Sequence, residues 1–113
     1  MRKFNDLKKL PIFQAIYVLK ESMIGFERLC HRFGFFNISP DMIMFNQSQN
    51  CKVWISKEWY SDQIEPSSIK SEKEFILQLC GIVEEKAVKS KISLEFFEKI
   101  RNCKFFFEAI GCI

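Results

Sequence analysis

A mainly helical α+β domain is the fold class this sequence predicts, on three observations. An apolar stripe at alternating steps of four and three runs from Ile12 to Phe33, enclosed by Pro11 and Gly34. Two short apolar runs, residues 42–45 and 52–55, flank the polar stretch 46–51 in the manner of a β-hairpin. Ser71 followed three residues later by Glu74 opens a second helical periodicity, and a third follows Ser93. The expected architecture is one domain over residues 1–113, with three principal helices and one hairpin after the first.

Each element has its own local reason. Residues 1–10 lack periodicity and read as an N-terminal arm carrying Arg2, Lys3, Lys8 and Lys9. Pro11 suits the first turn of a helix, where its missing N–H has no partner to lose. The stripe is Ile12, Ile16, Leu19, Met23, Phe26, Cys30 and Phe33, widened by Phe13, Val18 and Leu29. Lys20, Glu21, Glu27, Arg28 and Arg32 fall mainly on the solvent side, and Gly34 supplies the left-handed conformation that commonly closes a helix. Residues 57–70, with Ser61, Asp62, Pro66, Ser67 and Ser68, show no period and read as a mobile loop. Phe75, Ile76, Leu79, Ile82 and Val83 form the next stripe, which fades near residues 88–91. Ser93 reads as the cap of a last helix with Phe96, Ile100, Cys103, Phe107 and Ile110 on one face, broadened by Phe106.

Composition narrows the function classes. A chain of 113 residues has room for one modest core, yet it holds 13 Phe. Each buried ring removes about 150–250 Å² from water, so part of this aromatic complement is expected at the surface, where clustered apolar area marks a partner site. The net charge of +3 is small, and Lys greatly outnumbers the four Arg, which disfavours strong nucleic-acid binding. Five Cys at wide spacings, with no CxxC pair, read as reduced buried thiols rather than metal ligands. An intracellular, reducing compartment is therefore expected, cytoplasmic in the first instance with a mitochondrial leader as the alternative. No apolar run is long enough for a membrane span, and nothing in the sequence calls for a metal or cofactor. Cys30 beside His31 is a weak nucleophile–base pair, because adjacent helical residues point about 100° apart.

The stretch Asn37-Ile38-Ser39-Pro40-Asp41-Met42-Ile43-Met44 resembles the second half of a protein kinase catalytic loop, and Lys52-Val53-Trp54 resembles the second strand of the hairpin that follows it. The resemblance covers about residues 12–56, and it implies a fragment of a kinase C-terminal lobe with its chemistry removed. Asn37 stands where the catalytic Asp would be, and an amide cannot accept the substrate proton as a carboxylate does. Ser39 replaces the loop Lys, and Met42 takes the place of the magnesium-binding Asn, offering a thioether to a hard, oxygen-seeking ion. Ile55 falls where the second metal-binding Asp would begin its triplet. The His-Arg pair before the catalytic position is missing, and no Gly-rich phosphate loop is present.

The expectation is thus a non-catalytic, pseudokinase-like structural or interaction module, not an enzyme, acting as a subunit among other protein subunits. Its expected contact residues are Trp59, Tyr60, Phe105, Phe106, Phe107, Ile110 and Ile113. The alternative is an accessory subunit of a ribonucleoprotein that touches RNA through Arg2, Lys3, Lys8 and Lys9.

Overall fold

A computed structural model describes residues 2–45, 50–54 and 69–113. Along the chain it has β1 (Arg2–Lys3), a 3₁₀ turn (Phe4–Asp6), α1 (Ile12–Phe33), a second 3₁₀ turn (Pro40–Met42), β2 (Ile43–Phe45), β3 (Cys51–Val53), α2 (Glu72–Lys86), α3 (Lys91–Arg101) and α4 (Phe106–Cys112). The mainly helical class holds, with four helices and a small antiparallel sheet among the described residues.

α1 begins and ends where Pro11 and Gly34 place it, and Gly34 adopts φ 80° while its N–H donates to the Cys30 carbonyl. Ala15, Val18, Leu19, Ser22, Met23 and Phe26 form its buried face. Ser22 is satisfied there by donating to the Val18 carbonyl at 2.5 Å. Phe13 departs from the expected stripe: it is 82% exposed, because it lies roughly 150° around the helix from the centre of the buried face. Phe33 is also exposed, one turn beyond the point where neighbouring elements cover the helix.

The hairpin pairs Ile43 with Val53, Met44 with Lys52 and Phe45 with Cys51. The N-terminal residues are not a loose arm. Arg2 and Lys3 pair with Phe45 and Met44 as a third strand, giving the order β1-β2-β3. Phe4 is fully buried, and Leu10 bridges to Ala87 through N–H donors from Leu10 to Lys86 and from Val88 to Leu10. The Lys86 ammonium donates to the Asn5 and Leu7 carbonyls at 2.9 and 2.6 Å. Sheet and α1 pack so closely at Gly25 that a Cβ there would collide with Val53 Cγ2.

The C-terminal half differs from the sequence reading in phase. Ser90, not Ser93, caps α3; Ser93 completes a reciprocal box in which each Ser N–H donates to the other's hydroxyl. The expected single last helix is two, interrupted at residues 102–105. The buried residues become Ser93, Phe97, Ile100, Cys103, Phe106 and Ala109, one position away from much of the expected stripe. The break resets the helical phase, so Phe107 turns outward and Phe106 inward. α4 is held to α2 by its Phe106 N–H, which donates to Glu72 Oε1 at 2.8 Å.

Four rings tie the layers together. Phe75 on α2 meets Phe26 of α1, Phe36 of the following turn and Phe106 of α4 edge-on, at centroid distances of 5.7, 5.4 and 5.5 Å. Edge-to-face geometry aligns each ring's positive rim with its neighbour's negative face.

Candidate interaction surface

Among the described residues, the loop positions 37, 39 and 42 are partly or fully buried. Asn37 is half-buried in the turn after α1. The Ile38 N–H donates to Gln78 Oε1 at 2.8 Å, which fastens this turn to α2. The Ser39 hydroxyl accepts from the Asp41 N–H and so caps the second 3₁₀ turn. Met42 puts its thioether in the core, 5% exposed. The Asp41 carboxylate accepts from the Asn5 side chain at 3.3 Å. Ile55 lies outside the described residues, as do Trp59, Tyr60 and most of the expected loop 57–70; Ile69 at its end is buried.

Thiol chemistry is equally suppressed at three of the five free cysteines. Burial pushes the thiols of Cys30, Cys51 and Cys80 up to about 12. Glu72 and then Glu27 add to the effect at Cys30. Cys30 and His31 do share a hollow of about 140 Å³ with Glu27, Gly34, Phe35, Glu72 and Phe106. Yet His31 faces Glu27 at 3.6 Å, and a thiol held protonated by burial, with two carboxylates adding to it, is no nucleophile near neutral pH. Among the described residues no group of three or more His, Cys, Asp or Glu could hold a metal ion. No helix is long and apolar enough to cross a membrane, again among the described residues.

Apolar surface is what the fold leaves available. Seven of the 13 Phe are buried, Phe96 is half-buried, and Phe13, Phe33, Phe35, Phe105 and Phe107 are exposed. Two of these sit together at the start of α4: Phe105 and Phe107 stack in parallel, 5.7 Å apart with 7° between ring planes. They are 47% and 73% exposed, so the pair covers itself without being covered. Ile110 and Ile113, expected beside them, are half-buried against the core. Phe106 is withdrawn from the expected contact set, since its ring rests on Phe75.

A second apolar region was not singled out from sequence. Phe13 and Tyr17, one turn apart on the outer side of α1, line a groove of about 380 Å³ with Leu7, Leu10, Val18 and Phe45. The helical step of 100° per residue was signal enough to place both opposite the buried face. The basic residues Arg2, Lys3, Lys8 and Lys9 are all exposed, the first two on β1 and the others ahead of α1. Compared with known proteins, the chain matches no family model, no curated protein and no solved structure.

Proposed function

We propose that this chain is a non-catalytic interaction module that joins other protein subunits in a larger assembly. The observation that carries this reading is the Phe105–Phe107 stack, two phenyl rings held parallel and in water at the start of a helix. Covering apolar area is worth about 25 cal/mol per Å², so a partner that buried both rings would gain several kcal/mol from them alone. Stacking also fixes the rings before contact, which lowers the ordering cost of binding. Ile110 and Ile113 belong to the proposed contact with them, and Trp59 and Tyr60 stay in it on sequence grounds alone.

The non-catalytic part is supported by what occupies the kinase-like positions: a neutral Asn37, a capping Ser39 and a Met42 thioether in the core. Descent from a kinase C-terminal lobe belongs to the same proposal, supported by the order of α1, Gly34, turn and hairpin along residues 12–53. A reducing intracellular compartment is supported by five free thiols.

The test is the double substitution Phe105→Ser and Phe107→Ser in a tagged chain expressed in its host cell. The expected result is loss of the stoichiometrically co-purifying chains, with circular dichroism and Tm unchanged. A wild-type chain that purifies alone as a stable monomer, or a partner retained by the double variant, would overturn the proposal.

A further inference from the structure

The groove beside α1 changes character along its length. One end is apolar, at Leu10 and at Phe13 in the first turn of α1. Tyr17 follows Phe13 by about one helical turn, roughly 6 Å along the axis. Its hydroxyl accepts from the Cys51 N–H at 3.4 Å. Cys51 pairs with Phe45, and Phe45 pairs with Arg2, so one row of the sheet brings Arg2 and the Tyr17 hydroxyl to the same end of the groove.

That end favours negative charge. Arg2 and Tyr17 are both exposed, and among the described residues no carboxylate lies within ion-pair distance of Arg2. A guanidinium is a permanent cation whose planar fork of donors matches a carboxylate. The Tyr17 hydroxyl uses one lone pair on Cys51 and keeps its proton to donate. No carboxylate lines the groove among the described residues. Lys8 and Lys9, exposed between Leu7 and Leu10 in the chain, outweigh the one acid beside them, Asp6.

We propose that this groove binds a fatty acid of medium chain length, with its carboxylate on Arg2 and Tyr17 and its alkyl chain running past Phe13 to Leu10. The volume of about 380 Å³ falls in the range of small-molecule sites, roughly 300–1,000 Å³. Phe13, 82% exposed, gains the most cover from an alkyl chain laid along it. The charge pattern selects this occupant. Arg2 is the one charged residue among those lining the groove, and it stands at one end, which matches a single anionic head on an apolar tail. A polyanion would meet one lining cation and then apolar wall, and a neutral lipid would leave Arg2 without a counter-charge. The inference does not rest on the Phe105–Phe107 contact, because neither residue lines the groove.

Sodium decanoate, titrated into the full chain below its micelle concentration and followed by amide NMR shifts, tests this. Decanol and decyltrimethylammonium serve as the uncharged and cationic ligands of the same chain length. The expected result is saturable decanoate binding with shifts centred on Phe13, Tyr17 and Phe45. Decanol should bind about tenfold more weakly, for want of a charge-assisted hydrogen bond, and the cation should not bind. Each methylene removed from the acid should weaken binding about fourfold. Arg2→Gln should erase the preference for decanoate over decanol and leave decanol binding as it was. Tyr17→Phe should weaken decanoate by about threefold or more. Phe13→Asp, which places a carboxylate in the groove, should abolish decanoate binding, while Phe105→Ser with Phe107→Ser should bind it as wild type does. Equal affinity for decanoate and decanol, unchanged decanoate affinity in Arg2→Gln, shifts centred on Phe105 and Phe107, or no saturation in the wild type would overturn the proposal. Arg2 and Tyr17 are exposed, so their variants test the head site even if Phe13→Asp folds poorly.

Discussion

Residues 34–42 and residues 102–113 are both short segments that connect or end helices, and both are dense in phenylalanine, yet the fold uses them differently. In the first, Phe36 enters the core against Phe75, Ile38 is hydrogen-bonded to Gln78, Ser39 caps a turn and Met42 is buried. In the second, Phe106 enters the core against the same Phe75 and is tied by one hydrogen bond to Glu72, while Phe105 and Phe107 stay outside. The first segment is fastened to α2 twice, by the Phe36 ring against Phe75 and by the Ile38 N–H on Gln78. The second has α2 beneath it and nothing among the described residues above its stacked pair. Both segments leave a ring outside, Phe35 in the first and Phe105 with Phe107 in the second, but only the second sets two exposed rings against each other as a stack.

Phe75 is shared by both segments, so its removal should produce the largest effect. Phe75→Ala deletes the ring on which Phe26, Phe36 and Phe106 converge. A fully buried Phe to Ala change costs about 3–5 kcal/mol, transfer and cavity terms together. Urea denaturation should show that loss with a single transition. A cost below about 1.5 kcal/mol would mean the rings pack independently, and the two segments would not share a core as described.

The next effect should separate the segments. Gln78→Leu removes the acceptor for the Ile38 N–H and leaves that partly buried donor unpaired, at a cost of about 1–3 kcal/mol. Hydrogen exchange at Ile38 should accelerate strongly while exchange at Phe106 stays as in wild type. Equal acceleration at both amides would show that one anchor holds the whole helical layer. Ser39→Ala acts on the same turn with a smaller loss, about 0.5–1 kcal/mol, as expected for a lost cap on a short 3₁₀ turn. If Ser39 served another purpose, stability would not respond.

The difference between the segments also marks what the sequence made legible. Pro11 and Gly34 bounded α1 correctly because each carries its own backbone restriction, independent of neighbours. Ser71 capped α2 for the same local reason, its hydroxyl accepting from the Glu74 N–H. β1 was illegible: Arg2 and Lys3 have no apolar pattern, and their pairing with Phe45 and Met44 exists only because the sheet does. At the candidate surface, the aromatic excess implied exposed rings, and of the three phenylalanines named there Phe105 and Phe107 are exposed while Phe106 is buried. Ser90 and Ser93 are both good caps, and choosing the later one moved the helix start by three residues. The break after Arg101 then shifted the phase again, which drew Phe106 into the core and left Phe107, expected on the same face, outside it. Phe13 was different, since the helical step alone sets it opposite the buried face.

The smallest expected effect on stability is the sharpest test of the contrast. Phe107→Ser removes a ring that is 73% exposed and touches the fold chiefly through its stack on Phe105. The change should alter unfolding free energy by no more than about 0.5 kcal/mol, the usual range for surface positions. Phe106→Ser, one residue away, should cost several times more because it places a hydroxyl in the ring cluster around Phe75. The ratio of the two, read from urea curves of the single variants, measures how completely the helix break sorts neighbouring phenylalanines. Similar losses at both positions would mean that Phe105 and Phe107 help hold α4 in place, and the exposed stack would then be part of the fold rather than surface kept free for another chain.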